Sequence, residues 1–430
     1  MSLTVIDLND TNIRVGKGEQ ILFNSPGYAV IKDDKIAFGA QAVKLNRIYP
    51  RSTHDDFWYR FSQDTIQSSS NQIRHNADLA YMQLAEIYEK SGESLKWLIA
   101  VPASFNQEQL ALLLGLLKAA NYTDVQLIDS ALLASINSLN KGVHNHLDMQ
   151  LHQSVFTSLE TDDKHRVITS NVLPETGLLS IYERCGKLIS NEFINQSRFD
   201  PHHHAESEQL LFENIPVCLS KLTTSSVSKL DLEYQGNSYS ANITREAIVE
   251  TLTPIYDSLY KNIGTSEQLL LSHRFHILPG FMDGLSNALF LDEFAVFNSA
   301  NYYLTSLKDD NSNTNYLSEL PAIESTEALT VSHTEIKQDT NITHILIDNV
   351  AYKFNENNSY IDSSNKIETS LSPNSQYSIQ SNEGQYFIQA ENHSQVSLNN
   401  VIINDKQLLK LGDSIKISGA DTSSTVIKVS

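Results

Sequence analysis

Residues Ile99-Ala100-Val101-Pro102-Ala103-Ser104-Phe105-Asn106-Gln107-Glu108-Gln109 read as the end of a buried strand, a proline turn and the opening of a helix. The run from Trp97 to Pro102 is apolar throughout, and the helix extends over residues 106–120. Val125-Gln126-Leu127-Ile128-Asp129 is the next strand, followed by a small-residue helix over 130–139. Strand, helix, strand, helix in this order predicts an α/β fold. Toward the N-terminus, Leu3-Thr4-Val5-Ile6-Asp7-Leu8 is a short β-branched strand that stops at Asn9-Asp10. Thr11-Asn12-Ile13-Arg14-Val15 follows it, and the two predict a hairpin. Short strands at 28–31 and 35–38 and an amphipathic helix over 72–91 complete this side.

Toward the C-terminus, residues 147–159 and 168–173 predict strands, and 177–193 and 206–219 helices. Residues 238–243 predict a strand running into a helix over 245–262, with Thr244 as its N-cap. His276-Ile277-Leu278-Pro279-Gly280 reads as a strand ending in a glycine turn, and 285–291 as the start of a helix. From Asp309 the chain turns Asn-, Ser-, Thr- and Glu-rich, which predicts a linker over 309–340. Beyond it, short strands recur at 345–347, 377–379, 386–390, 396–398, 401–403, 414–417 and 425–429. The expected organisation is an α/β domain over 1–308, the linker, and an all-β sandwich over 341–430.

Composition narrows the function classes. The 430 residues carry 31 Lys plus Arg against 51 Asp plus Glu, a formal charge of -20. That balance repels phosphate backbones and anionic lipid surfaces, so neither nucleic acid nor membrane is an expected partner. Two cysteines, Cys185 and Cys218, are too few for a disulfide framework and fit a reducing cytoplasm, where they read as buried small apolar residues. Residues 1–15 lack a signal-peptide core, and no apolar run reaches about eighteen residues. The expectation is a cytoplasmic protein.

Four pieces in order suggest a family. Val5-Ile6-Asp7-Leu8-Asn9-Asp10-Thr11-Asn12 resembles the first phosphate loop of the actin-like ATPases, and Val101-Pro102-Ala103-Ser104-Phe105-Asn106 their "VPAxFN" strand and helix. Ile243-Thr244-Arg245-Glu246 is similar to a helix start in their second lobe, and Ile277-Leu278-Pro279-Gly280 to their adenosine glycine loop. The nearest resemblance is to the ATPase domain of the seventy-kilodalton heat-shock chaperones, over residues 1 to about 305. It implies a two-lobe actin-like fold, ATP with magnesium as cofactor, and nucleotide contacts at Asp7, Asn9, Asp10, Thr11, Asn12, Asp148 and Gly280.

The chain departs from the family at the chemistry. The first loop, Asp-Leu-Gly-Thr-Thr-Asn in the family, has Asn9 for glycine and Asp10 for threonine. Asparagine can adopt positive φ, so the turn is expected to survive, but a carboxylate at Asp10 faces triphosphate unfavourably. The second loop falls at residues 147–154 with Asp148 at the metal position, yet no glycine occurs between Gly142 and Gly177, and Gln150 and His152 fill the phosphate space. Asp129-Ser130-Ala131-Leu132 stands where the family has Asn-Glu-Pro-Thr, Leu110 where it has arginine, and Arg60 is the nearest cation to the place of the catalytic lysine.

Other constellations are weaker. His202-His203-His204 between Asp200 and Glu206 reads first as a solvated helix start, and His144, His146 and His152 near Asp148 as a lesser metal candidate. There is no nucleophile elbow around Ser104, no P-loop and no Gly-x-Gly-x-x-Gly. Residues 396–417 resemble the closing strands of forkhead-associated sandwiches, whose phosphothreonine pocket needs an arginine; Arg274 is the last arginine of this chain. The expected function is a degenerate, chaperone-like ATPase fold acting as a protein-interaction scaffold or regulator. Catalytic residues are not expected, nucleotide binding stays open, and partners are other proteins. The alternative is a divergent ATP-binding chaperone-like ATPase using Asp7 and Asp148 around magnesium; a filament-forming actin is a third reading.

Overall fold

The computed structural model describes residues 3–33, 35–66, 73–92, 94–138, 141–263, 268–306 and 316–321. In the C-terminal part it describes 343–347, 350–353, 359–362, 367–368, 372, 374–382, 385–391, 396–398, 401–403, 406–409, 414–417 and 423–427. The chain divides into two compact units, Met1–Glu324 and Ser325–Ser430.

The first unit begins with strands β1 (Leu3–Asp7), β2 (Ile13–Lys17) and β3 (Gln20–Ser25), an antiparallel meander. Strands β4 (Ala29–Lys32), β5 (Lys35–Phe38) and β6 (Thr53–His54) make a small sheet beside helix α1 (Gly39–Val43). Helix α2 (Asn76–Ser91), strand β7 (Lys96–Val101), helix α3 (Gln107–Ala119), strand β8 (Val125–Asp129) and helix α4 (Ser130–Ser135) follow. Asn106 caps α3 reciprocally with Gln109, and Asp129 caps α4 through the Leu132 amide, so both turns are fixed by local polar side chains. Strands β7 and β8 add parallel to β1.

The second half repeats this arrangement. Strands β9 (Gly142–Met149), β10 (Gln153–Thr161) and β11 (Lys164–Pro174) form a meander. After helices α5 (Leu178–Ser197) and α6 (Ala205–Leu222), the hairpin β12 (Val227–Tyr234) and β13 (Asn237–Thr244), and helix α7 (Arg245–Tyr260), strand β14 (Gln268–Leu271) pairs parallel to β9. Strand β15 (Ala288–Phe290) pairs parallel to β14 and leads to helix α8 (Ala295–Ser306). The sheet orders are therefore β3-β2-β1-β7-β8 and β11-β10-β9-β14-β15, each extended by one further strand. Those two strands, β16 (Tyr316–Leu317) beside β8 and β17 (Glu319–Pro321) beside β11, come from one short segment inside the expected linker. The rest of that linker lies outside the described residues.

Burial explains the layering. One face of the first sheet packs Ile6, Ile99 and Leu127 against α2 and α3 through Leu84, Ile87, Leu113 and Leu117. One face of the second packs Leu147 and Leu271 against α5, α6 and α7. The opposite faces share a third cluster in which Val5, Leu98, Leu159 and Leu270 meet Leu132 and Leu133 of α4 and Phe297 and Ala300 of α8. The two halves thus share a common helical layer.

Several elements differ from the sequence expectation. Residues 276–280 are not a strand: a 3-10 turn spans His273–Ile277, Gly280 is left-handed at φ 76, and the strand lies earlier, at β14. Residues 285–291 contain strand β15 instead of a helix start. Both segments are short apolar runs whose type is set by pairing with a neighbour and cannot be read from their own periodicity. The single strand expected over 147–159 is the β9–β10 hairpin, turning at 150–152, and β12 was not anticipated.

The second unit holds two antiparallel sheets. One contains six strands in the order Val350–Lys353, His344–Ile347, Ser423–Ile427, Ser414–Ile417, Val396–Leu398, Val401–Ile402. The other contains Ile367–Glu368, Ser359–Asp362, Ser375–Asn382, Gln385–Ala390 and Gln407–Leu408. Ile345, Val396, Ile415 and Ile417 of the first share one core with Ile361, Tyr377, Ile379 and Ile388 of the second. The turn residues at 399–400 and 410–413, and Val429, lie outside the described residues. Among the described residues no helix is long and apolar enough to cross a membrane.

Candidate functional site

In open α/β sheets ligands gather beyond the carboxyl ends of the parallel strands. Here those ends carry Asp7 on β1, Asp129 on β8, Asp148 on β9 and, just after β14, Ser272-His273-Arg274. Asp7 and Asp148 occupy matching positions, each at the end of the first strand of its sheet before the hairpin turn.

Arg274 ties them together. Its Nη2 donates to Asp7 Oδ2 at 2.7 Å, its Nη1 to Asp148 Oδ1 at 3.2 Å and its Nε to Thr11 Oγ1 at 3.1 Å. Arg14 Nη2 donates to the same Asp7 oxygen at 2.9 Å. All four charged side chains are buried, none more than 11% exposed. Two carboxylates against two guanidiniums leave the cluster neutral. Burial alone would push Asp7 up, but the Arg274 and Arg14 guanidiniums hold its carboxyl well below the usual carboxylate range. Asp148 is likewise lowered against its burial, mainly by Arg274. Burial depresses His146, and burial followed by the charges of Arg274 and Arg14 holds His273 at about 3.

The hairpin turns lock onto each other. Asn9 Nδ2 donates to Asp148 Oδ2 at 2.9 Å and to the Met149 carbonyl at 3.0 Å, while Asn9 Oδ1 accepts from the amide and hydroxyl of Thr11. Asn9 does not adopt the positive φ expected of it; its side chain does the work instead. Asp10 Oδ1 accepts the Leu151 amide at 2.8 Å, so a carboxylate already takes a second-loop N–H. Gln153 Nε2 donates to Gln150 Oε1 at 2.6 Å, and His152 packs on Tyr59 with its Nε2 2.9 Å from the Asp55 carbonyl. The amides of Leu178 and Leu179, at the start of α5, donate to the carbonyls of Gln150 and Leu151. That helix N-terminus is therefore spent on the loop.

Of the expected residues, Asp7, Asn9, Asp10, Thr11 and Asp148 are brought together. Asn12 closes the turn through its amide on the Asn9 carbonyl, with its buried Oδ1 unpartnered. Gly280 is not among the residues lining the spaces beside Asp7, Asp10 and Asp148; it packs under Val249 of α7. Arg14 and Arg274 were not anticipated as site residues. The available signal was Arg14 close after the Asn9-Asp10 turn; Arg274 lay outside every segment given an element from sequence.

No protein-family model matches this chain, and no curated protein matches it. A divalent cation between Asp7 and Asp148 would meet two guanidiniums, and a phosphate at the Leu151 amide would meet the Asp10 carboxylate. The residues present do not fit magnesium with a triphosphate. Among the described residues no group of three His, Cys, Asp or Glu side chains is placed to hold a metal, the 202–204 histidines included.

Proposed function

We propose that the first unit is an actin-like, chaperone-type ATPase fold whose nucleotide chemistry has been replaced by internal pairing, and that the chain acts as a protein-interaction scaffold or regulator. The duplicated strand order, with Asp7 and Asp148 at matching positions, supports the fold reading. In that reading the β14 loop that would face adenosine is Ser272-His273-Arg274, not Gly280. The observation that carries the functional reading is the Arg274 fork across both aspartates. Carboxylates at such positions would hold a hydrated magnesium ion, and a fixed guanidinium is no substitute for it in phosphoryl transfer. The Asp10 carboxylate on the Leu151 amide supports the same conclusion at the second loop.

The sandwich, with a strand pattern similar to forkhead-associated modules and no arginine, fits a second protein-contact surface better than a phosphopeptide reader. Thermal unfolding with and without Mg·ATP tests the reading. Unchanged Tm and background turnover are expected. A nucleotide at about a hundred times its dissociation constant would add about 2.7 kcal/mol, and a shift of that size would sink it.

A further inference from the structure

A cavity of about 110 Å³ opens beside the clasped aspartates, between the turn after β1, residues 102–109 and the 150–153 turn. Asp10 lines it and is 7% exposed. One oxygen of that carboxylate takes the Leu151 amide, and the other takes no hydrogen bond among the described residues. No lysine, arginine or histidine is among the residues lining the cavity; the cations that act on the carboxylate, His152 and Arg274, stand outside it. The walls are Trp58, Tyr59 and Phe105, with the polar side chains of Ser104, Gln150 and Gln153 beside them.

We propose that this cavity binds a primary ammonium group, carried either by a free small amine or by a lysine side chain. A cation is favoured by the buried carboxylate with its second oxygen facing no donor among the described residues and by aromatic walls, and an anion is repelled by the same groups. An ammonium has three donors to share among Asp10, Ser104 and Gln153. A guanidinium binds best as a fork on both oxygens of one carboxylate, and Asp10 has only one free. Apolar Leu8, Pro102 and Val172 complete a lining suited to a short methylene stem. The cavity includes Asp10 and Gln150, so the inference rests on the reading that no triphosphate occupies this space.

The test is titration of the full chain at pH 8 with n-butylammonium chloride, n-butanol and a capped tripeptide Ala-Lys-Ala, followed by calorimetry and by Trp fluorescence. Saturable binding of the ammonium but not of the isosteric alcohol is expected. Asp10→Asn, which keeps an acceptor for the Leu151 amide, should weaken it by about tenfold or more, and Tyr59→Leu on the half-exposed wall by several-fold. Tighter binding of the tripeptide than of butylammonium identifies a lysine side chain as the source, and the reverse order a free amine. Equal binding of alcohol and ammonium, undiminished binding by Asp10→Asn, or no saturation by either amine overturns the proposal. If Asp10→Asn fails to fold, undiminished binding by Tyr59→Leu overturns it in the same way.

Discussion

At the residue scale, Arg274 is the side chain on which the cleft depends. It holds two buried aspartates from opposite halves, and Arg14 shares only one of them. Removing one partner of a buried ionic group leaves uncompensated charge, which costs far more than the group contributes net. Arg274→Met should therefore destabilise the chain by about 3–5 kcal/mol in urea unfolding. Adding Asp148→Asn restores a one-to-one balance between Asp7 and Arg14 and should recover most of that loss. No recovery in the double variant would show that packing, not charge, is what Arg274 supplies.

Asp10 gives the opposite sign. Burial pushes its carboxyl up to about 6, against about 3.9 in an unfolded chain. The folded state binds this proton more readily, so ionising Asp10 destabilises the fold above pH 6, and the penalty fades as pH falls from 6 toward 4. Asp10→Asn should be more stable than the parent at pH 8, by about 3 kcal/mol at most, with the advantage gone near pH 4. The comparison must be between variant and parent, because burial also depresses His146, His54 and His165, whose neutral forms are lost from the unfolded chain over the same range. A variant advantage that grows on acidification would contradict the assignment.

At the element scale, two glycines separate fold from function. A Cβ on Gly177 would stand 2.3 Å from the Gln153 amide nitrogen and 2.6 Å from the Leu151 carbonyl, both backbone atoms. Gly177→Ala must lift α5 off the 150–153 turn and should cost about 1–3 kcal/mol. Gly115, inside α3 and facing open space, should gain about 0.5–1 kcal/mol as alanine, since only the unfolded chain loses freedom. Chemical denaturation of the two variants side by side checks both signs.

Elements with strong local signals were legible: β8 over Val125–Asp129, the helix opening at Asn106, the Thr244 cap and the β1–β2 hairpin follow from residue type and spacing alone. Segments 276–280 and 285–291 were not, because a four-residue apolar run becomes strand or turn according to the neighbour it finds. The Tyr316–Pro321 segment, read as linker from its surroundings, becomes two short strands only because β8 and β11 offer open edges.

At the scale of the whole first unit, the two halves share the α4–α8 layer and a set of cleft hydrogen bonds. They should unfold together. Both tryptophans, Trp58 and Trp97, lie in the first half, and both cysteines, Cys185 and Cys218, are buried in the second. Tryptophan fluorescence and thiol labelling should therefore give one urea midpoint. Two separated midpoints would mean that the shared layer does not couple the halves.

The sequence by itself determined the α/β alternation, the all-β C-terminal part, the net negative charge and the lack of glycine between Gly142 and Gly177, because these depend on local periodicity, composition and single residue types. Only the tertiary structure decided that the strand order is duplicated, that Asn9 acts through its side chain, and that Arg274 meets Asp7 at a sequence separation of 267. Such contacts are set by which strand ends converge when two sheets bury their faces on a common helical layer, and no local pattern encodes that convergence.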